Sequence, residues 1–506
     1  MLIGIDLGTS GVKALAIDEN GRLLASATEE YPLHTPRPLW TEQDPEAWWQ
    51  AATRALKRVL AAEGVDAGAV AGIGLSGQMH GLVLLDGDGR VLRPAILWND
   101  QRTGPQCAEI TRRAGGLEGV IRLTGNAVLP GFTAGKLLWV AQNEPAVYAR
   151  AEHFLLPKDY LRYRLTGEYA TEVSDASGTA LFDVAGRQWS REMCEIVGVP
   201  ESWLARCTES DVVSGVISMA AAAATGLRPG TPVVGGGGDQ AAQAVGSGIV
   251  QPGVISVTSG TSGVVFAYQA RYEAEPEGRV HVFCHAVPGA WHAMGVMLSA
   301  GGALRWFRDT LGQLEKTMAG LTHEDPYELL TREAALAPAG CDGLLFLPYL
   351  TGERTPHPDP NARGAFVGLT LRHDRSHLVR AVMEGVSFGL RDSLELIRGL
   401  GVPITQVRAS GGGATSALWR QIQSDVFQTE LVQTDVAEGA AFGAALLAGA
   451  GVGVYADVRE AANCTVRVTG STSPQPAASA VYEQLYGVYR GLYPALKPSF
   501  DDLSVV

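Results

Sequence analysis

The feature that most constrains the fold is a repeat. Ile3–Val12 reads IGIDLGTSGV and Ile255–Val264 reads ISVTSGTSGV. In each copy a β-branched run enters GTSG and a second apolar run leaves it. This pattern places a tight loop between two strands, unlike the strand-to-helix turn of a P-loop. The chain therefore reads as a duplication, with one copy opening each half. Gly and Pro punctuate Gly246–Gly253, GSGIVQPG, just before the second copy, which sets the expected domains at residues 1–247 and 248–506. The first half opens with apolar strands at 3–7, 12–17 and 22–27. A helix follows over Pro45–Ala62, with Asp44 as cap and Pro45 in its first position. Strands at Val70–Leu75 and Gly81–Leu85 come next, and this alternation gives the class α/β.

Composition removes several classes of function. The chain has 506 residues, 46% hydrophobic and 18% charged, enough for two separate cores. A net charge of -13 without clustered Lys and Arg disfavours a nucleic-acid partner. No basic-then-apolar leader opens the chain. The most apolar stretch, Ala440–Val454, falls short of the roughly 20 residues a membrane span needs, so it reads as a buried helix and its exit. Six cysteines without a CxxC pair suit a reduced, cytoplasmic protein with no structural zinc. The tail from Ala461 to Pro476 reads as a loop, and Ala480–Tyr493 as a terminal amphipathic helix.

Four stretches carry chemistry. A Gly-Thr-Ser loop aims backbone N–H groups and hydroxyls at one point, which makes an anion site, and two such loops facing each other can hold a polyphosphate. Only the first copy adds Asp6 before the loop and Lys13 after it: a carboxylate able to hold hydrated Mg²⁺, and a counter-charge for phosphate. Val233–Gly248, VVGGGGDQAAQAVGSG, places Asp239 after four glycines that leave backbone open to a ligand, so Asp239 is a candidate general base. The blander alternative makes it a helix cap. SGQMHG at Ser76–Gly81 and LWNDQR at Leu97–Arg102 offer Gln78, His80, Asn99 and Asp100 as polar partners for a polyol, with Met79 and Trp98 as apolar faces. Ser410–Ala414, SGGGA, leads into a helix over Ala417–Phe427 and lets a flat base approach backbone. Phe346–Thr355, FLPYLTGERT, reads as a charged loop, a lid or an interface.

Together these residues resemble the FGGY family of carbohydrate kinases. The resemblance covers nearly the whole chain, including GFTAGKLLWVAQNE at Gly131–Glu144 and GAFVGLTLRHDRSHLVRAVME at Gly364–Glu384. It implies two actin-like, RNase H-type domains with ATP and sugar in the interdomain cleft, and often a homodimer. Within the family, GIDLGTSGVK, SGQMHG, RPAILWND, LPKDYLR and GERTPH are most similar to members that phosphorylate D-xylulose. Carried over, Asp239 is the catalytic base. Met79 and His80 touch the sugar, with Gln78, Asn99 and Asp100 nearby. Thr9, Ser10 and Lys13 on one side, and Thr261 with Gly301 on the other, meet the nucleotide; Gly412, Gly413 and Ser416 flank adenosine; Asp6 positions Mg²⁺. Gln240 follows Asp239 as in glycerol kinase-like members, where some xylulose-phosphorylating members have Asn, so L-ribulose and glycerol stay open as acceptors. An actin- or Hsp70-like ATPase is the alternative of a different class, but nothing after Ala461 is long enough for the added domain it needs.

Overall fold

The computed structural model describes residues 1–436 and 438–505. Among them are two seven-stranded sheets whose central strands follow one plan. In the first, Leu2–Leu7 runs antiparallel to Gly11–Ile17 and parallel to Gly72–Gly77. In the second, Gly253–Ser259 runs antiparallel to Gly263–Gln269 and parallel to Ile404–Ser410. Each GTSG thus closes a hairpin at the centre of its own sheet. Leu23–Glu30 extends the first hairpin, and Trp291–Met297 with His281–Cys284 extends the second. The sequence repeat is a repeat of topology, the RNase H arrangement of actin-like proteins.

Local signals place most elements within a few residues. The helix Pro45–Leu60 starts where Asp44 accepts a hydrogen bond from Glu46 N at 2.9 Å, the cap its sequence demands. The apolar run near residue 440 forms the buried helix Gly439–Gly451. By chain order this helix belongs to the second half, yet it lies on the first sheet. The Cβ of an alanine at Gly4 would sit 1.9 Å from Ala441 O, and one at Gly74 would sit 1.8 Å from Ala444 O. Backbone meets backbone there because neither strand carries a side chain at the contact. Gly443 and Gly246 do the same where this helix crosses Asp239–Gly246. One buried apolar cluster accordingly includes Leu2, Val245, Phe283 and Leu446, from both halves.

The tail corrects the sequence reading. Val458–Thr465 is helical, and Val468–Thr472 is an edge strand against Glu430–Thr434. Its sequence, VTGST, holds β-favouring Val and Thr but is short, mostly exposed and interrupted by Gly470, and the neighbouring strand supplies the hydrogen bonds that hold it. The terminal helix runs Pro476–Leu503, longer than its periodicity marks.

Candidate active site

The cleft is built from the two hairpin loops outward. Asp6 pairs in register with Lys13 across the first hairpin and with Ser76 on the parallel strand. Its Oδ1 is inaccessible and has no hydrogen-bond partner among the described residues. Burial holds its carboxyl above the ordinary range, against the opposing pull of Ser76 and Lys13. Lys13 Nζ lies 2.7 Å from Glu438 Oε2, which ties the first hairpin to the second half of the chain. Thr9 Oγ1 accepts a hydrogen bond from Trp98 Nε1 at 2.9 Å, and Ser10 is exposed at the loop tip.

Asp239 opens the helix Asp239–Gly246 as its first residue, one position inside the cap at Gly238. Its Oδ1 accepts from Gln240 N at 2.7 Å. Loss of solvation first, and the Asp6 carboxylate second, push its carboxyl up to about 7. The Asp6 charge thus helps to bring the Asp239 carboxyl into the range where it exchanges a proton near neutral pH.

On the second domain, Thr261, Gly301, Gly412, Gly413 and Ser416 line one cavity of about 450 Å³. A Cβ on Gly301 would meet Gly260 O at 2.6 Å, and one on Gly413 would meet Ser259 Cβ at 2.7 Å. Only glycine keeps this floor flat. Ser416 also caps Ala417–Phe427 through Trp419 N. Arg305, Tyr327 and Thr331 also line it; the Pro326–Ala334 helix that carries the last two has no Gly-rich or motif-like signal in sequence.

The SGQMHG loop divides its labour. Met79 packs against Gly238, where a Cβ would lie 2.8 Å from its sulfur. His80 takes a left-handed backbone, φ 69, which costs a non-glycine residue on the order of 1–2 kcal/mol. Thr133 Oγ1 and the buried Lys136 Nζ hold it there by donating to His80 O at 3.0 and 2.7 Å. His80 Nδ1 lies 2.7 Å from Gly178 O; since a carbonyl only accepts, Nδ1 carries the proton and Nε2 is left as an acceptor. Burial lowers this imidazole to about 3, so it is neutral. Gln78 is buried, with its amide turned to Gly8 O and Gln43 Oε1, and it braces the first hairpin loop. Asn99 accepts from Thr41 Oγ1 at 2.7 Å. Asp100 corrects the sequence reading. It is fully buried, and both its oxygens are taken by Arg102 and by Thr41 N. A carboxylate saturated by a guanidinium has no lone pair left for a sugar, so Asp100 holds the loop in place.

Comparison with known proteins now decides the family. The N-terminal domain model of the FGGY family of carbohydrate kinases matches residues 1–246, and the C-terminal domain model matches residues 255–452. The chain is an FGGY carbohydrate kinase. Xylulose kinase of Escherichia coli (strain K12) is 44% identical over 88% of this chain and 89% of its own length. Xylulose kinase of Bacillus subtilis (strain 168) is 40% identical over 97% and 96%. The crystal structure of a kinase from Brucella ovis, described as a xyloylose kinase, superposes with a TM-score of 0.91 at 42% identity, covering 98% of this chain and 99% of that one. As a member of this family the chain is a sugar kinase that uses ATP. No described helix is long and apolar enough to cross a membrane.

This FGGY kinase rests its glycine loop on a buried ionic cluster. Lys158, Asp159 and Arg162, from LPKDYLR, meet Glu172 and Asp175 with no side chain more than 1% exposed. Burial pulls the Lys158 ammonium down, but Asp159, Asp175 and Glu172 outweigh it and hold the group above its ordinary value. Burial also holds the Asp175 carboxyl well above its ordinary range, against the pull of Lys158. Glu172 accepts from Ser174 Oγ and Ser210 Oγ, and Ser174 Oγ accepts from Gly238 N at 3.0 Å. Arg162 donates to Gly235 O. The cluster thus fixes both ends of the turn that delivers Asp239. In sequence its charges look like a solvated helix face; the flanking Leu156, Leu161 and Leu165 were the only hint of burial.

Proposed function

We propose that the chain transfers the γ-phosphoryl group of ATP to the C5 hydroxyl of D-xylulose, giving D-xylulose 5-phosphate. The observation that carries this reading is Asp239, a carboxyl pushed up to about 7 and set between the Met79–His80 segment and the paired hairpin loops. The similarity to xylulose kinases supports the acceptor. Asp239 takes the C5 proton as O5 bonds to the γ-phosphorus; the bond from that phosphorus to the bridging oxygen breaks, and ADP leaves with that electron pair. The transition state is loose, so the protein contributes alignment, charge balance and exclusion of water. Thr9, Ser10 and Lys13 would hold the phosphates from one side and Thr261 with Gly301 from the other, with adenosine over Gly412, Gly413 and Ser416. Asp6 fits a Mg²⁺ role, because its unpartnered buried oxygen is the donor that a hard cation takes. When bound, Mg²⁺ neutralises phosphate charge. His80 Nε2 accepts a sugar hydroxyl.

Gln240 favours a second reading, in which another polyol is the acceptor. ADP release measured over D-xylulose, L-ribulose and glycerol separates the two, with D-xylulose expected to give the highest kcat/KM. Asp239→Asn is expected to lower kcat by 10²- to 10⁴-fold with ATP binding intact. A better substrate than D-xylulose would overturn the acceptor, and retained turnover in the variant would overturn the base.

A further inference from the structure

The FLPYLTGERT segment has no role in the reaction as described, and its penultimate residue, Arg354, stands out by what it lacks. Glu353 Oε1 accepts from Leu298 N at 2.9 Å and Arg354 N at 2.7 Å. Thr355 Oγ1 accepts from Val296 N at 3.1 Å and donates to Arg279 O at 2.8 Å. Both neighbours of Arg354 are thereby fixed to the Trp291–Met297 strand and the segment beside it. Arg354 is half-buried, and its guanidinium makes no hydrogen bond or ion pair among the described residues. Burial holds this guanidinium below its ordinary range against the pull of Glu353, and with no partner among the described residues its donors are open to an acceptor.

The loop is anchored beside a run of contacts that leads from Asp239 through Met79 and His80 to His281. Met79 lies against Gly238, next to Asp239, and His80 follows it. Beyond His80 stands a ring cluster: Phe132 stacks on His80 at 4.6 Å, and His281 and Phe283 of the second domain close it at 5.7 and 6.0 Å from Phe132. His281 pairs in register with Met294, on the strand to which Thr355 is bound. The Arg354 charge acts on both His80 and His281, whereas the charge that acts on Asp239 is that of Asp6. Thr355 bound to Val296, two residues along the strand from the partner of His281, places Arg354 at the His80–His281 end of this run, away from Asp239.

We propose that Arg354, flanked by His281, is a specificity residue that binds the carbonyl end of an open-chain ketose whose far hydroxyl lies on Asp239. This rests on the reading of Asp239 as the base for a keto sugar. A guanidinium only donates and a ketone oxygen only accepts, so the two match without a rotor to orient. The corresponding alditol puts a tetrahedral hydroxyl at that carbon, with a proton that must turn away from five donors.

The test compares D-xylulose with xylitol, which lacks the carbonyl, by calorimetric binding to the full enzyme and by steady-state kinetics. Arg354→Met is expected to weaken D-xylulose binding and kcat/KM by about 10- to 100-fold, the worth of a charge-assisted hydrogen bond. Xylitol affinity and the KM for ATP should stay put, so the ketose-to-alditol ratio collapses. Arg354→Lys, which keeps the charge and loses the fork, should fall between. If the Met variant melts early, the Lys variant carries the test through the same ratio. An unchanged ratio in a folded variant, with both sugars kept or both weakened alike, overturns the proposal. Failure of the underlying reading looks different: the unmodified enzyme would not phosphorylate D-xylulose at all.

Discussion

Gly443→Ala should disable catalysis far more than it destabilises the protein. The added Cβ would stand 1.8 Å from Ala242 O and 2.9 Å from Gly246 N. Ordinary contacts to carbon begin near 3.5 Å, so one helix must retreat by about 1.5 Å. The obstacle is backbone, and no rotamer change relieves it. Overpacking of this kind costs about 1–3 kcal/mol. Alanine returns up to about 1 kcal/mol of helix propensity, leaving a net loss of at most about 3 kcal/mol, which in a chain of 506 residues lowers Tm by no more than about 3 °C. The displaced helix is the one that begins at Asp239. A shift of about 1 Å at a reacting group costs on the order of 10²-fold in rate. The expected result is a kcat lower by 100-fold or more in a coupled ADP assay, in a protein whose melting curve is only modestly shifted. ATP affinity should change less than kcat, because the cavity proposed for adenosine lies on the other sheet. Gly487→Ala, in open space on the terminal helix, is the control and should be neutral or slightly stabilising. A Gly443→Ala enzyme with normal kcat would refute the argument that this crossing positions the base.

Two further outcomes follow from the charges. The base must be ionised to work, so kcat/KM should fall about tenfold per pH unit below about 7; a flat profile from pH 5.5 to 8 would remove Asp239 from that role. The folded chain holds this proton more tightly than the unfolded chain does, so the group's stabilising share is complete below its unfolded value and is lost as pH rises through about 7. Asp239→Asn should accordingly raise Tm at pH 8 and not at pH 4, checked by scanning calorimetry. Lys158→Met would leave three buried carboxyls facing only Arg162, a loss of about 3–5 kcal/mol; denaturant unfolding that matched the parent chain would show that the cluster does not support the glycine turn.

Sequence made visible what local chemistry dictates. The two hairpins, the Asp44 cap and the helix after Ser416 each depend on a few adjacent residues, and each was found. What escaped depends on distant neighbours. Asp100 carries the same side chain whether it faces a sugar or Arg102, and only tertiary packing chose the second. Lys158 and Arg162 are charged residues on a short helix, a pattern that usually means solvent, until Glu172 and Asp175 arrive from farther along the chain. The Gly439–Gly451 helix was legible as buried, but its cover is the opposite sheet, to which nothing in its own sequence points.

That last contact shapes how the chain is made. All strands of the first sheet have been synthesised by Gly238, yet the helix that seals Gly4 and Gly74 arrives some two hundred residues later. During translation the N-terminal part therefore waits with an apolar sheet face uncovered, the kind of surface that aggregates or recruits a chaperone. Its folding is completed by the C-terminal part, so a ribosome stalled before residue 439 would carry a first domain that cannot close its core.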